Sequence, residues 1–220
     1  RVMREAYLAE MVGPDDPEAA MARQRCGELY DRLHGQPFSV AVVPDCEFLH
    51  IGSSRELIQA LASDARVRRE RAAGRTCIFN SSLDKAPVCK GAAVVEACAG
   101  AGGWRLGGDN IVVGVPADVS GVTLPKGWGL VCLPVGARNW TAALFGHRDD
   151  GKSTRAAGGT FGNAPLDGFL RRAGLREADV WKDGDQSLWN ARLWTVGSAA
   201  EAVRSVQWML KGGRVPAAWR

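Results

Sequence analysis

Val88-Cys89-Lys90-Gly91-Ala92-Ala93-Val94-Val95-Glu96-Ala97-Cys98-Ala99-Gly100 runs on as Ala101-Gly102-Gly103-Trp104-Arg105-Leu106-Gly107-Gly108-Asp109-Asn110-Ile111-Val112-Val113-Gly114, and the fold turns on this stretch. Val88, Val94, Leu106 and Val112 stand six or twelve residues apart, with Gly100 in the remaining slot. An aliphatic residue at every sixth position is the mark of a left-handed parallel β-helix, in which each unit supplies a short strand and a corner. The period expects all four aliphatic side chains in one β-helical core. Residues 76–147 share this character throughout: rich in Gly, Val, Ala and Cys, poor in charge, and without a helical period.

Outward from this region, both flanks carry helical signals. Within residues 1–75, Asp15-Asp16-Pro17 reads as a helix start. Ala22, Cys26, Leu29, Tyr30 and Leu33 follow at helical spacing, with Gly35 as the stop. Residues 38–43 are β-rich, Pro44-Asp45 is a turn, and 46–51 is a second short strand. Ser53-x-x-Glu56 ahead of Leu57, Ile58 and Leu61 is a capping box, which predicts a helix directly after Gly52. Residues 148–220 form a helical cover. There Asn163 and Pro165 precede Leu166, Phe169 and Leu170, which Gly174 ends, and Ser198-x-x-Glu201 precedes Val203, Val206 and Leu210, which Gly212-Gly213 ends. The expected class is α+β: a left-handed β-helix with flanking helices.

Composition removes several functions. At 46% hydrophobic and 24% charged, the 220 residues are too apolar for a disordered chain and numerous enough for a sizeable core. No window approaches the ~20 consecutive apolar residues of a membrane span. No apolar run follows Arg1-Val2-Met3-Arg4-Glu5, so no signal peptide is expected, and the missing initiator Met points to a piece of a longer chain. The surplus of +4 is mild. The run Arg66, Arg68, Arg69, Arg71 and Arg75 is broken by Glu70 and lacks aromatics, so it reads as a solvated helix face rather than a nucleic-acid strip. Cysteines 26, 46, 77, 89, 98 and 132 have neither C-x-x-C nor zinc spacing and read as reduced, mostly buried thiols of a cytoplasmic protein. Cys46 with His50 is the one pairing weighed as nucleophile and base.

Other patterns invite chemistry. Gly146-His147-Arg148-Asp149-Asp150-Gly151-Lys152-Ser153 is a literal G-x-x-x-x-G-K-S. It would place two carboxylates beside a polyphosphate, and glycines 158, 159 and 162 interrupt the helix that should follow, so it reads as a polar turn after a strand at 140–145. Gly100-Ala101-Gly102-Gly103 has no helix behind it and reads as corner glycines, not a dinucleotide fingerprint. Trp181, Trp189, Trp194 and Trp208 read as cover for a β layer, with a sugar-stacking platform as the functional alternative. His34 and His147 read as surface residues.

Phe48-Leu49-His50-Ile51-Gly52-Ser53-Ser54 resembles the W-x-D-I-G-T-P segment near the end of the catalytic domain in sugar-1-phosphate nucleotidyltransferases, with His50 where that superfamily has Asp. The form H-I-G-[ST]-[ST]-x-E-[LF] resembles the GDP-fucose pyrophosphorylase and L-fucokinase family. Ile78-Phe79-Asn80-Ser81-Ser82-Leu83 is similar to that family's first β-helix rung, and the segment from Leu106 to Gly114 to its I-G-x-x-x-[LI]-V-x-G rung. Gly146 to Lys152 is similar to its G-x-x-D-x-x-K turn, and the segment from Ser187 to Val196 to its L-W-x-A-R-L-F-P-V, with Trp194-Thr195 in place of Phe-Pro. The resemblance spans about residues 28–197.

The resemblance implies a fucose-salvage enzyme that makes GDP-L-fucose from L-fucose 1-phosphate and GTP, phosphorylates L-fucose, or does both. It implies Mg2+ with GTP or ATP, a sugar phosphate and a nucleotide as partners, and a kinase domain in the same longer chain. Residues 1–75 would be the tail of a nucleotidyltransferase-like α/β domain. The sequence lacks both the G-x-G-x-x-T-R loop of the transferase and the P-x-x-x-G-L-G-S-S loop of the kinase. The 220-residue chain alone is therefore expected to be inactive, with His50, Gly52 and Ser53 as the residues that would face substrate. Two other classes compete: a non-catalytic β-helical assembly module, and a hexapeptide acyltransferase, which needs a histidine between coils where residues 76–146 have none.

Overall fold

The computed structural model describes residues 3–13, 18–37, 39–42, 44, 50–63, 72–73, 76–182 and 184–217. Asp15, Asp16, Pro17, Cys46 and the arginines at 66, 68, 69, 71 and 75 lie outside them, as do the strand positions 38, 43 and 46–49. The chain divides into two compact units, Arg1–Phe48 and Leu49–Arg220.

In the first unit, helices α1 (Arg4–Met11) and α2 (Ala19–Leu33) pack as a pair. Leu8 and Gly27 are buried between them, Arg4 bonds Asp31 at 3.0 Å, and Tyr7 meets Tyr30 at 5.5 Å between ring centroids. Residues 39–42 join no sheet among the described residues, and Val40 and Val42 stand exposed.

The second unit is a parallel β-solenoid of about three turns with flanking helices. Strands β1 (Ala72–Ala73), β2 (Thr76–Phe79), β3 (Ser82–Leu83) and β4 (Val88–Cys89) begin it. The second turn is β5 (Ala93–Glu96), β6 (Ala99–Gly100) and β7 (Arg105–Leu106), and the third is β8 (Asn110–Val113) and β9 (Thr123–Leu124). Strand β10 (Trp128–Val135) stacks in parallel on β8, then turns back as an antiparallel hairpin with β11 (Asn139–Gly146).

The winding step corrects the hexapeptide reading. Thr76 lies against Ala93 and Ala93 against Asn110, a step of 17 residues, whereas six-residue units would give about 18. The missing residue matters because side chains alternate faces along a strand, so a shift of one reverses every face. Val94 therefore pairs with Ile111 rather than Val112, and Val88 with Arg105 rather than Leu106. Leu106 and Val112 point into the solenoid core, whereas Val94 is buried on the outer face and Val88 is 67% exposed. The true repeat shows at the corners: Asn80, Ala97 and Gly114, one step apart, all have positive φ, at 48°, 51° and 70°.

Asn110 is a fully buried polar side chain in the solenoid interior. Asn110 Oδ1 accepts the Gly108 N–H at 2.7 Å, while Nδ2 donates to the carbonyls of Pro125 and Trp128, each at 2.8 Å. It stitches the third turn to the next strand. Asn110→Ala should cost about 3 kcal/mol, because it leaves the buried Gly108 N–H without its acceptor and takes a donor from each of two carbonyls; urea unfolding would register this as a lower midpoint.

Helix α3 (Ser54–Ser63) lies on the outer face of the sheet, with Ile58 and Ala62 against Ala92, Val94 and Ile111. The opposite side is closed by a short hairpin, β12 (Thr160–Phe161) and β13 (Ala164–Pro165), then α4 (Leu166–Ala173), α5 (Glu177–Val180), β14 (Val196–Gly197) and α6 (Ala199–Leu210). Strand β14 pairs with β11, and α6 packs over β11. Gly174 ends α4 at φ 67°. Ser198 and Glu201 form the expected capping box on α6. Trp104, fully buried, fills the solenoid core beside Val115, Leu124 and Leu130. No helix among the described residues is long and apolar enough to cross a membrane.

Candidate functional site

The head of α3 carries the three residues singled out by sequence. Ser53 Oγ accepts the Glu56 N–H at 3.3 Å, and the Glu56 carboxylate accepts the Gly52 N–H at 2.7 Å. The box thus reaches one residue further back than the usual pattern. The Gly52 N–H, with help from Ser53, holds the Glu56 carboxyl below its ordinary range. His50, Gly52 and Ser53 are all exposed. A methyl group on Gly52 would meet Glu56 Oε2 at 3.4 Å and His50 Nε2 at 3.5 Å, so this glycine is not required by a close backbone approach.

Directly beyond them, Arg55, Ile58 and Gln59 of α3 form one wall of a cleft of about 360 Å³. The other wall consists of solenoid corners: Ala92, Asp109, Lys126, His147 and Arg148. Lys126 Nζ pairs with Asp109 at 3.3 Å. No hydrogen bond or ion pair among the described residues engages the guanidinium of Arg55 or Arg148. His147 packs on Gly127, where a Cβ would lie 2.8 Å from its Nδ1 and where φ is +78°. Only glycine fits. Both the His147 backbone N–H (2.9 Å) and Nδ1 (3.1 Å) reach the Gly127 carbonyl. A carbonyl only accepts, so Nδ1 carries the proton and Nε2 is the nitrogen left for a ligand. Asn163 Nδ2 donates to the same carbonyl, and its Oδ1 accepts the Arg148 N–H at 3.0 Å, which fixes the backbone on which Arg148 stands.

Ser53 stands two residues before Arg55, Gly52 three and His50 five, and His147, which reads as a surface residue in the sequence, is half-buried beside the cleft. Arg55, Lys126 and the adjacent pair His147-Arg148 are far apart in the chain, and only the tertiary fold brings them together. The only signal was that three of the quoted motifs border the cleft, each through a neighbouring or lining residue: Ser53 beside Arg55, Asp109, and His147-Arg148.

The G-x-x-x-x-G-K-S loop is closed by its own carboxylates. Asp149 accepts the N–H groups of Gly146 (2.6 Å), Gly162 (2.7 Å) and Asn163 (2.9 Å) and the Thr160 hydroxyl (2.9 Å). Asp150 accepts the Ser153 hydroxyl at 2.8 Å and the Lys152 N–H at 3.0 Å, which hold its carboxyl below the usual range. The N–H groups of Gly146, His147, Arg148, Asp149, Lys152 and Ser153 are engaged within the protein, and Lys152 lies 5.4 Å from the Trp189 ring. Among the described residues no cluster of three or more His, Cys, Asp or Glu side chains is placed to hold a metal ion.

The described cysteines, 26, 77, 89, 98 and 132, are thiols in no disulfide among the described residues. Burial pushes Cys98 up and Cys132 to about 12, which makes poor nucleophiles of both. Trp181, Trp194 and Trp208 pack against the core, whereas Trp189 is 71% exposed.

Comparison with known proteins identifies the family. The model of the fucose pyrophosphorylase domain family matches residues 2–199. The bifunctional fucokinase/GDP-fucose pyrophosphorylase of Arabidopsis thaliana is 25% identical over 196 aligned residues, which cover 76% of this chain and 18% of that protein. No solved structure matches.

Proposed function

The chain belongs to the fucose pyrophosphorylase domain family, and from that premise we propose that it is a segment of a cytoplasmic fucose-salvage transferase, with the cleft between α3 and the solenoid corners facing the substrate of the longer enzyme. The proposed reaction is attack of a phosphate oxygen of L-fucose 1-phosphate on the α-phosphorus of GTP, with pyrophosphate leaving. The observation that carries this reading is that three family-like motifs, separate in the chain, border one cleft.

Within this reading the chain contributes a rigid wall. The solenoid fixes Asp109, Lys126, His147 and Arg148, and the capped head of α3 presents His50, Gly52 and Ser53. The loops that hold triphosphate and metal belong to other parts of the longer enzyme. A kinase domain in the same longer chain fits the name of the Arabidopsis relative.

The test uses the longer enzyme. His50→Ala should lower kcat/KM for pyrophosphate release from GTP and L-fucose 1-phosphate by about tenfold, the scale of one lost hydrogen bond in the transition state. The melting temperature should move by no more than about 2 °C, as for an exposed substitution. The isolated 220-residue chain should show no turnover of either substrate pair. Robust turnover by it would refute the segment reading, and full activity in the His50 variant would make that residue structural.

A further inference from the structure

We propose that the cleft between α3 and the solenoid corners is a phosphate-binding subsite, in which Arg55 and Arg148 grip the phosphate oxygens beside His147. The cleft is lined by four basic side chains, Arg55, Lys126, His147 and Arg148, against one carboxylate, Asp109, already paired with Lys126 at 3.3 Å. That leaves two guanidinium groups unengaged among the described residues, both lining the same cavity of about 360 Å³. Like charges held together repel unless an anion joins them, and guanidinium forks match phosphate oxygens in bidentate fashion.

The surroundings are built rather than incidental. The Arg148 N–H is tied to Asn163 Oδ1 at 3.0 Å, and Asn163 is tied in turn to the Gly127 carbonyl at 2.9 Å. His147 is oriented by that carbonyl through Nδ1, and Arg55 stands in the first turn of a capped helix whose Ile58 is anchored in the sheet. Side chains with fixed backbones lose less freedom on binding than side chains on loose loops. Asp149 takes up the Gly146 N–H and Asp150 the Lys152 N–H, two donors that the neighbouring 146–153 loop would otherwise offer to an anion.

The ligand's phosphate could belong to a sugar 1-phosphate or to a nucleotide, an assignment that rests on the function proposed above; the binding chemistry is common to both. The 220-residue chain should bind inorganic pyrophosphate in titration calorimetry, with affinity falling as salt rises. Arg55→Ala and Arg148→Ala should each weaken binding by about tenfold, the scale of one charge-assisted contact. Arg138→Ala, at the opposite end of the β10–β11 hairpin, should leave it unchanged. In the longer enzyme the same two variants should raise KM for one substrate while kcat holds, and whichever KM rises identifies the source of the phosphate.

Absence of pyrophosphate binding, or equal weakening by Arg138→Ala, overturns the subsite. So does a lower melting temperature of the longer enzyme with both KM values unchanged, which would mean that an acidic protein segment occupies the cleft. If the chain binds pyrophosphate through Arg55 and Arg148 but the longer enzyme makes no GDP-fucose, the subsite stands and the proposed function falls. If the longer enzyme is active and neither variant alters its KM values, the function stands and the subsite falls.

Discussion

Leu106→Asp should unfold the solenoid unit, while Val88→Asp should leave it intact. Leu106 is 2% exposed among Val112, Leu124 and Leu130, and a carboxylate there has no partner. The expected loss is about 4 kcal/mol, through an unpaired charge in an apolar core together with the lost packing. Val88 holds the same place in the six-residue pattern but is 67% exposed and pairs laterally with Arg105. Its replacement by Asp should stay within about 0.5 kcal/mol. Urea midpoints of the two variants test the 17-residue winding step directly. Similar losses would show that both side chains face the core and that the six-residue phase is correct after all.

The second large effect belongs to Asp149. Asp149→Ala removes four hydrogen bonds at once, from Gly146, Thr160, Gly162 and Asn163, and with them the tie between the 146–153 loop and the β12–β13 hairpin. Contacts to a charged acceptor contribute more than neutral ones, and discounting for partial exposure leaves an expected loss of about 3 kcal/mol. Asp149→Asn should recover part of that loss, since one amide oxygen still accepts. Lys152→Ala in the same loop removes only a contact over an exposed indole, worth about 0.5–1 kcal/mol, and should not change nucleotide affinity. Thermal melts rank the three variants, and a tenfold loss of GTP or ATP binding in Lys152→Ala would reverse the reading of this loop.

These two contrasts show which parts of the molecule were legible in the chain. The helix starts at Ser53 and Ser198 and the stop at Gly174 were readable because each depends on side chains and backbone a few residues apart. The α+β class and the stacked-strand region were readable from the loss of helical period together with the Gly- and Val-rich composition. The Gly146–Asp149 contact explains why the G-x-x-D-x-x-K pattern is a turn: its Asp caps its own glycine.

Other features depend on contacts between distant residues. A pattern of aliphatics at every sixth position is compatible with either an 18-residue or a 17-residue step, and only the pairing of Ala93 with Asn110 selects the latter. That one-residue difference sends Val88 outward and Val94 to the outer face beneath α3, because side-chain direction in a strand alternates with a period of two. Trp104 as core filler and Asn110 as buried stitch likewise follow from which turn lies above which. The cleft is the clearest case: Arg55, Lys126 and the pair His147-Arg148 lie in three separate stretches of chain, so no local signal marks them as a set. They meet because each turn of the solenoid returns the chain to the same corner, and because the apolar face of α3 is buried against the sheet beside it. Short-range hydrogen bonding and turn chemistry wrote the elements into the sequence; long-range strand register and the burial of a helix face decided which residues share a site.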